Sequence, residues 1–194
     1  MKKKLFIIGD GQFAHFIKHL IGNDKNFIFG GFLVKKNVNS NYCEDAFLNK
    51  NKNKYIFPAV GNLKLRRKII NKIIKSNNLI PSIVHPSATI CQNVKIENCT
   101  LTYNSFISND VKVGEYSVIG TGAYVHHNTR IGSNCIIGGG THIGAGVTIG
   151  NNVLFGIGSS TASKKITIGN NSIIASGASI LSDVPQNTLA IGNP

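Results

Sequence analysis

Two adjacent histidines, His126 and His127, stand in a Val-His-His-Asn-Thr-Arg-Ile-Gly stretch beginning at Val125, inside an otherwise glycine-punctuated repeat. A histidine near neutral pKa is the natural base for taking a proton from an amine or hydroxyl nucleophile. His127 lies two places after the aliphatic Val125, so register puts its side chain at a corner, outside the core. A solvated surface histidine is the plain alternative. Asn128 can hydrogen-bond a ring nitrogen but brings no charge. A second cluster, Gly9-Asp10-Gly11-Gln12-Phe13-Ala14, ends one apolar run and opens a helical one; its backbone N–H groups could face a diphosphate, or simply make a tight strand–helix turn. Gly61 and Asn62 follow another short apolar run, with Asn62 suited to cap a helix. Lys164 and Lys165 are point charges suited to phosphates, or else solvated loop lysines. His142 is read as a turn residue in the coil beside His127.

The element that must position the histidines is periodic. An aliphatic or aromatic residue recurs every six residues at Val113, Ile119, Val125, Ile131, Ile137, Ile143, Ile149 and Phe155. A small or β-branched residue follows the first seven by four: Ser117, Ala123, Thr129, Cys135, Thr141, Val147 and Val153. All eight but Val125 are followed directly by glycine. A fixed hexapeptide period is the signature of a parallel β-helix, and alternating large and small inward residues fit its narrow interior. Counting back, the beat passes Ile107, Leu101, Ile96, Ile90 and Val84, with the Ile96–Leu101 step one residue short. Counting forward, it resumes at Ile168, Ile174 and Ile180 after one extra residue within 159–166. Three hexapeptides per coil give roughly six coils at the ~4.8 Å spacing of adjacent strands.

Before the solenoid, Lys3–Ile8, Phe27–Val34 and Tyr55–Val60 read as strands. Helical stretches follow the first, with Phe13, Phe16, Ile17 and Leu20 on one stripe, and the third, with Leu65, Ile69, Ile70, Ile73 and Ile74 inward. Residues up to Lys54 after the second strand read as a polar loop. This alternation predicts a small Rossmann-like βαβαβ unit over 1–82, a hinge at 79–82, and the solenoid over 83–194. The first unit is expected to cap one end of the solenoid, and the tail Leu189–Pro194 to cover the other.

Composition narrows the partners. The 194-residue chain is 42% hydrophobic with no run long enough to span a bilayer. Four cysteines without zinc or CxxC spacing, and no export signal, point to free thiols in the cytoplasm. The net charge of +13 is uneven: residues 1–82 carry 16 Lys/Arg against 4 Asp/Glu. Lys outnumbers Arg 18 to 3, and basic residues are not interleaved with aromatics, which argues against nucleic acid as partner. His126, His127 and His142 lack the spacing of a three-histidine metal site, so no metal is expected.

With these residues in place, the chain resembles the hexapeptide-repeat sugar O/N-acyltransferases, and within them the acetyltransferases of nucleotide-linked amino sugars (the bacillosamine, perosamine, viosamine and sialic-acid-locus types). The resemblance covers essentially the full length. It rests on Ile7–Ala14, Ala59–Asn62 with Arg66–Ile69, His85–Ala88, Val125–Gly132 and the closing Ile191–Pro194. It implies a left-handed β-helix, acetyl-CoA as co-substrate, a homotrimer, and a nucleotide-linked amino sugar as acceptor in surface-glycan synthesis. Carried over by residue, His127 is the general base with Asn128 beside it, where the family often has a carboxylate. Gly9, Gly11, Gln12, Phe13, His15, Gly61 and Asn62 would face the acceptor. His142, Gly144, Ala145, Ile157, Gly158, Lys164, Lys165 and Ala175 would line the CoA groove, and Gly138–Gly140 would supply an oxyanion donor. The family's Asp pair near Phe32–Lys35 is replaced here by Val34 and Lys35, so neither uridine nor NAD recognition carries over. Sugar O-acetylation, a γ-carbonic-anhydrase-like metal enzyme and a non-catalytic binding protein are the other readings of the same fold.

Overall fold

The computed structural model describes residues 1–22, 24–34 and 44–192; Lys35, Cys43, Asn193 and Pro194, which entered the sequence reading, lie outside them. The chain divides into two compact units, Met1–Pro81 and Ser82–Pro194.

The first unit is a three-stranded parallel sheet with helices between its strands. β1 (Lys3–Ile8) lies between β2 (Phe27–Leu33) and β3 (Tyr55–Pro58). The last four residues of β1, Leu5 to Ile8, are buried, as a central parallel strand covered on both faces requires. α1 (Gln12–Gly22) buries Ala14, Ile17, Leu20 and Ile21; Phe13 and Phe16 sit at the margin of that stripe. α3 (Leu63–Lys75) begins at Asn62, whose side chain accepts a 2.9 Å hydrogen bond from the Leu65 N–H.

Three sequence expectations are corrected here. The polar stretch before Lys54 contains α2 (Glu44–Lys50), which buries Phe47 and Leu48. The inner stripe of α3 is Arg66, Ile69, Ile70 and Ile73, while Leu65 and Ile74 are exposed. The cap fixes where the helix starts, and that phase turns Arg66 inward, where its Nε donates to the Pro58 carbonyl at 3.2 Å. Finally, the expected hinge begins inside the first unit: Leu79 pairs beside β3 in a parallel bridge, with the Ile56 N–H donating to its carbonyl.

The second unit is a three-faced parallel β-helix of two-residue strands. The first face stacks seven of them, from Ile83–Val84 through Val118–Ile119 to Leu189–Ala190. The second stacks six, from Thr89–Ile90 through Tyr124–Val125 and His142–Ile143 to Ser179–Ile180. The third stacks five, from Lys95–Ile96 through Arg130–Ile131 to Thr167–Ile168. The short step falls between Ile96 and Leu101, and the long one between Thr161 and Ile168, as the beat requires. Inward residues form one continuous core, with Val125, Ile137, Ile143 and Phe155 fully buried. Leu189–Ala190 extends the first face as its seventh strand by pairing with Ile173–Ile174.

Packing explains the glycines. A Cβ on Gly132 would lie 2.5 Å from the Gly150 carbonyl oxygen, and one on Gly114 would lie 2.6 Å from Gly132. Each such residue is pressed against the backbone of the next coil, leaving no room for a side chain. Left-handed backbone also recurs three places after an inward residue, as at Asn104 and Gly122 on one corner, Asp110 and Asn128 on the next, and Asn134 and Asn152 on the third.

Candidate functional site

His127 occupies the exposed middle of the turn between the second and third faces. Its carbonyl accepts from the Gly146 N–H at 3.0 Å, which ties the turn to the coil that follows. The slots equivalent to His127 along this corner hold Asn109, Ala145 and the segment at Ser163, so the position accepts any side chain that faces out. Asn128 is next, with φ of 59°. The same slot holds Asp110 one coil earlier and Gly146 one coil later, all in the left-handed region that Asn, Asp and Gly tolerate. Turn geometry therefore accounts for Asn128, and it admits a carboxylate equally well.

The Asn128 amide nitrogen lies 2.9 Å from His127 Nδ1. The orientation of that amide decides the chemistry. With its NH2 toward the ring, Nδ1 accepts and the proton of neutral imidazole sits on Nε2. With Oδ1 toward the ring, Nδ1–H donates and Nε2 carries the free lone pair. General-base action at Nε2 needs the second arrangement.

Beside the turn runs an outward ladder on the second face. Phe106, Tyr124 and His142 occupy successive strands, the Phe106 and Tyr124 rings stacked 4.3 Å apart and those of Tyr124 and His142 stacked at 5.9 Å. His142 is thus a strand residue on the face, not a turn residue. The His126 ring lies 4.6 Å from that of Tyr124. Its pKa is lowered from the ordinary histidine value, first by burial and then by the charges of His127 and His142. His126 is less singular than the repeat suggests, because the equivalent slots before and after it on this face hold Ser108 and Ala162 alongside Gly144.

The residues expected to hold the co-substrate divide between two corners. Gly144, Ala145, Lys164 and Lys165 lie along the corner of His127, the two lysines exposed in the seven-residue step. Ile157, Gly158 and Ala175 lie along the corner between the first and second faces, with Ile157 70% exposed. His142 stands on the face between them. Gly144 is buried, with its N–H given to Thr161 Oγ1 at 2.8 Å, and a Cβ there would be 2.4 Å from the Ala162 carbonyl. Its glycine is a packing requirement. The expected oxyanion region is corrected as well. Gly138–Gly140 turns the other corner, and the Gly138 and Gly140 N–H groups donate to the Phe155 and Thr121 carbonyls. The backbone N–H nearest in register to His127 is that of Ala145, whose partner is a long 3.4 Å contact to Ser163 Oγ.

In the first unit, the expected acceptor residues gather at the carboxyl edge of the sheet, where ligands of parallel sheets bind. Gly9 has φ of 109°, and a Cβ on it would lie 2.9 Å from the Ala59 carbonyl oxygen. The turn after β1 thus abuts the residues after β3. Gly11 and Gly61 have open space around them. Gln12 is exposed at the start of α1, and the His15 ring lies 4.9 Å from that of Phe32. Phe13 stands edge-on to Phe57 at 6.0 Å, which makes it part of the packing. Among the described residues no three His, Cys, Asp or Glu side chains converge as a metal site would require. No helix among them is long and apolar enough to cross a membrane.

Residues 126–159 match the family described as Bacterial transferase hexapeptide (six repeats). No curated protein matches the chain. Solved structures do share its architecture across both units. PerB from Caulobacter crescentus, solved with CoA and GDP-perosamine, is 25% identical over 97% of this chain and 94% of its own, with a TM-score of 0.89. The acetyltransferase domain of PglB from Neisseria gonorrhoeae is 20% identical over 97% and 96%, with a TM-score of 0.85. WeeI from Acinetobacter baumannii is 18% identical over 98% and 97%, with a TM-score of 0.84. The solenoid is thereby a left-handed parallel β-helix, a hand opposite to that of ordinary parallel crossovers.

Proposed function

We propose that this chain, a hexapeptide-repeat acyltransferase, moves the acetyl group of acetyl-CoA onto the amino group of a nucleotide-linked amino sugar. The observation that carries the reading is the likeness along nearly the whole chain to PerB, a structure holding both CoA and GDP-perosamine. The site geometry is consistent with it: an exposed histidine on a rigid corner, with two lysines farther along the same edge.

The chemistry follows from these groups. His127 Nε2 takes a proton from the sugar amine as its nitrogen attacks the thioester carbonyl. With its amide turned so that Oδ1 faces the ring, Asn128 would accept from Nδ1–H and orient the ring. The carbonyl oxygen becomes an oxyanion, for which the Ala145 N–H is the nearest backbone donor in register. Collapse breaks the C–S bond, and the leaving thiolate takes the proton from His127 to give free CoA and the amide. Lys164 and Lys165 would meet CoA phosphates as point charges. Gly9, Gly11, Gln12, His15, Gly61 and Asn62 would receive the acceptor. The reading carries with it a homotrimer, a cytoplasmic location and a role in surface-glycan synthesis.

The test is thiol release from acetyl-CoA against UDP-, dTDP- and GDP-linked amino sugars. Turnover with one amino sugar is expected, together with loss of its free amine. Turnover only with the matching hydroxyl sugars would replace the N-acetyl reading with O-acetylation. Absence of CoA binding would overturn acyl transfer altogether.

A further inference from the structure

The first unit has a second concave region, at the end of the sheet opposite Gly9 and Asn62. A cavity of about 740 Å³ opens beside the starts of β1 and β3 and beneath α2, lined by Lys3, Lys4, Lys50, Lys54, Phe47 and Tyr55 among others. That volume falls within the range of small-molecule sites. From Lys4 to Ile8, β1 spans roughly 13 Å at strand rise between the two ends of the sheet, so this is not the carboxyl-edge site.

Its charge is one-sided. Among the described residues no carboxylate lines the cavity, and the unit's four acidic side chains are engaged or placed elsewhere. Glu44 and Asp45 pair with Lys72 of α3. Asp24 accepts from the Asn26 and Phe27 N–H groups at 2.6 and 2.9 Å. Asp10 sits in the exposed turn after β1. Four like charges around one concavity repel one another and focus a positive potential into it. The floor beneath the charge is closed: the Phe6 and Phe47 rings are buried and pack 4.5 Å apart. Lys3 Nζ lies 2.9 Å from the Tyr55 hydroxyl and 4.9 Å from the centre of its ring. Multiple ammonium groups around a concavity without carboxylates match a compound with several phosphates. A concave site of this volume suits a discrete molecule better than a membrane surface.

We propose that this cavity binds a polyphosphate, free or carried on a small molecule, with its phosphates on Lys4, Lys50 and Lys54. The site is separate from the carboxyl-edge residues of the same unit. The test is calorimetric titration of the full chain with ATP, pyrophosphate and adenosine at two salt concentrations. ATP and pyrophosphate are expected to bind saturably and adenosine not to bind, with affinity falling as salt rises. The Lys50→Gln/Lys54→Gln double variant should lose roughly tenfold or more in ATP affinity while retaining acetyl transfer. If thermal melting shows the double variant destabilised, Lys50→Gln alone serves, with a smaller loss in the same direction. Unchanged ATP affinity in the variants, or a parallel loss of acceptor turnover, would overturn the proposal. So would sedimentation with phosphatidylglycerol vesicles in the absence of saturable ATP binding. Because the readout is binding, a failure of the acetyl-transfer reading leaves the result intact.

Discussion

The two units specify their structures in opposite ways. In the solenoid each coil presses on the next at equivalent points, and glycines such as Gly114, Gly132, Gly138 and Gly156 exist because a Cβ would come within 2.8 Å of neighbouring backbone. In the first unit, Gly11 and Gly61 have nothing within 4 Å of a would-be Cβ, while one on Gly9 would lie 2.9 Å from the Ala59 carbonyl oxygen. Its order rests on particular contacts instead: the Asn62 cap, Arg66 against Pro58, Leu79 beside Tyr55. A stacked repeat fixes most of its positions by clearance and leaves a few outward turn slots unconstrained. His127 stands in one of those slots, where a functional side chain costs the fold nothing.

The sharpest way to break this comparison is a pair of glycine substitutions. Gly132→Ala should destabilise the protein by about 1–3 kcal/mol, since backbone rather than a movable side chain blocks the added methyl. Gly61→Ala should change stability by less than about 0.5 kcal/mol. Thermal melts of both variants check this, and equal shifts would remove the distinction. Next in size is the asparagine ladder, in which Asn134, Asn152, Asn171 and Asn187 bond in sequence, each at 3.0 Å. Asn152→Ala should cost roughly 1–2 kcal/mol, through lost hydrogen bonds and through Ala in a left-handed conformation. Asn152→Gly should recover the strain portion.

Smaller effects sharpen the account of the site. Asn128→Ala should lower kcat about tenfold by freeing the His127 ring, with little change in melting temperature beyond the turn strain. Asn128→Asp fits the backbone, as Asp110 does in the equivalent slot, and should move the acidic limb of the pH–rate profile upward. The smallest effect concerns His126. Its folded pKa is lowered relative to the unfolded chain, chiefly by burial, so the unfolded state binds more protons as the solution is acidified. Stability should therefore fall as pH drops below the ordinary histidine value, and His126→Gln should flatten that slope in melts between pH 7 and 5.

Much of the fold was legible because nearly every solenoid strand contributes one inward aliphatic residue, so register survives a short step at Ile96–Leu101 and a long one at Thr161–Ile168. The corner of His127 followed from the same count. The partition of the co-substrate residues did not, because residues twelve apart, such as Ala145 and Ile157, fall on different corners of a three-faced coil. The left-handed slot that accounts for Asn128 was present in the sequence as Asn, Asp or Gly three places after the inward residue. In the first unit, α2 was masked by the polar residues around Phe47 and Leu48. The burial of Arg66 was hidden because a charged residue at a helix position ordinarily reads as solvent-facing, while the Asn62 cap sets the phase that turns it in.

The central claim is that His127 supplies the base, and the most direct measurement is acetyl transfer by wild type and His127→Ala with a productive acceptor, alongside CoA affinity. The account predicts a fall in kcat of about 10²–10⁴, with CoA affinity and melting temperature unchanged because the side chain is exposed and outside the core. Near-wild-type turnover in His127→Ala would contradict it and move the proton acceptor away from this corner.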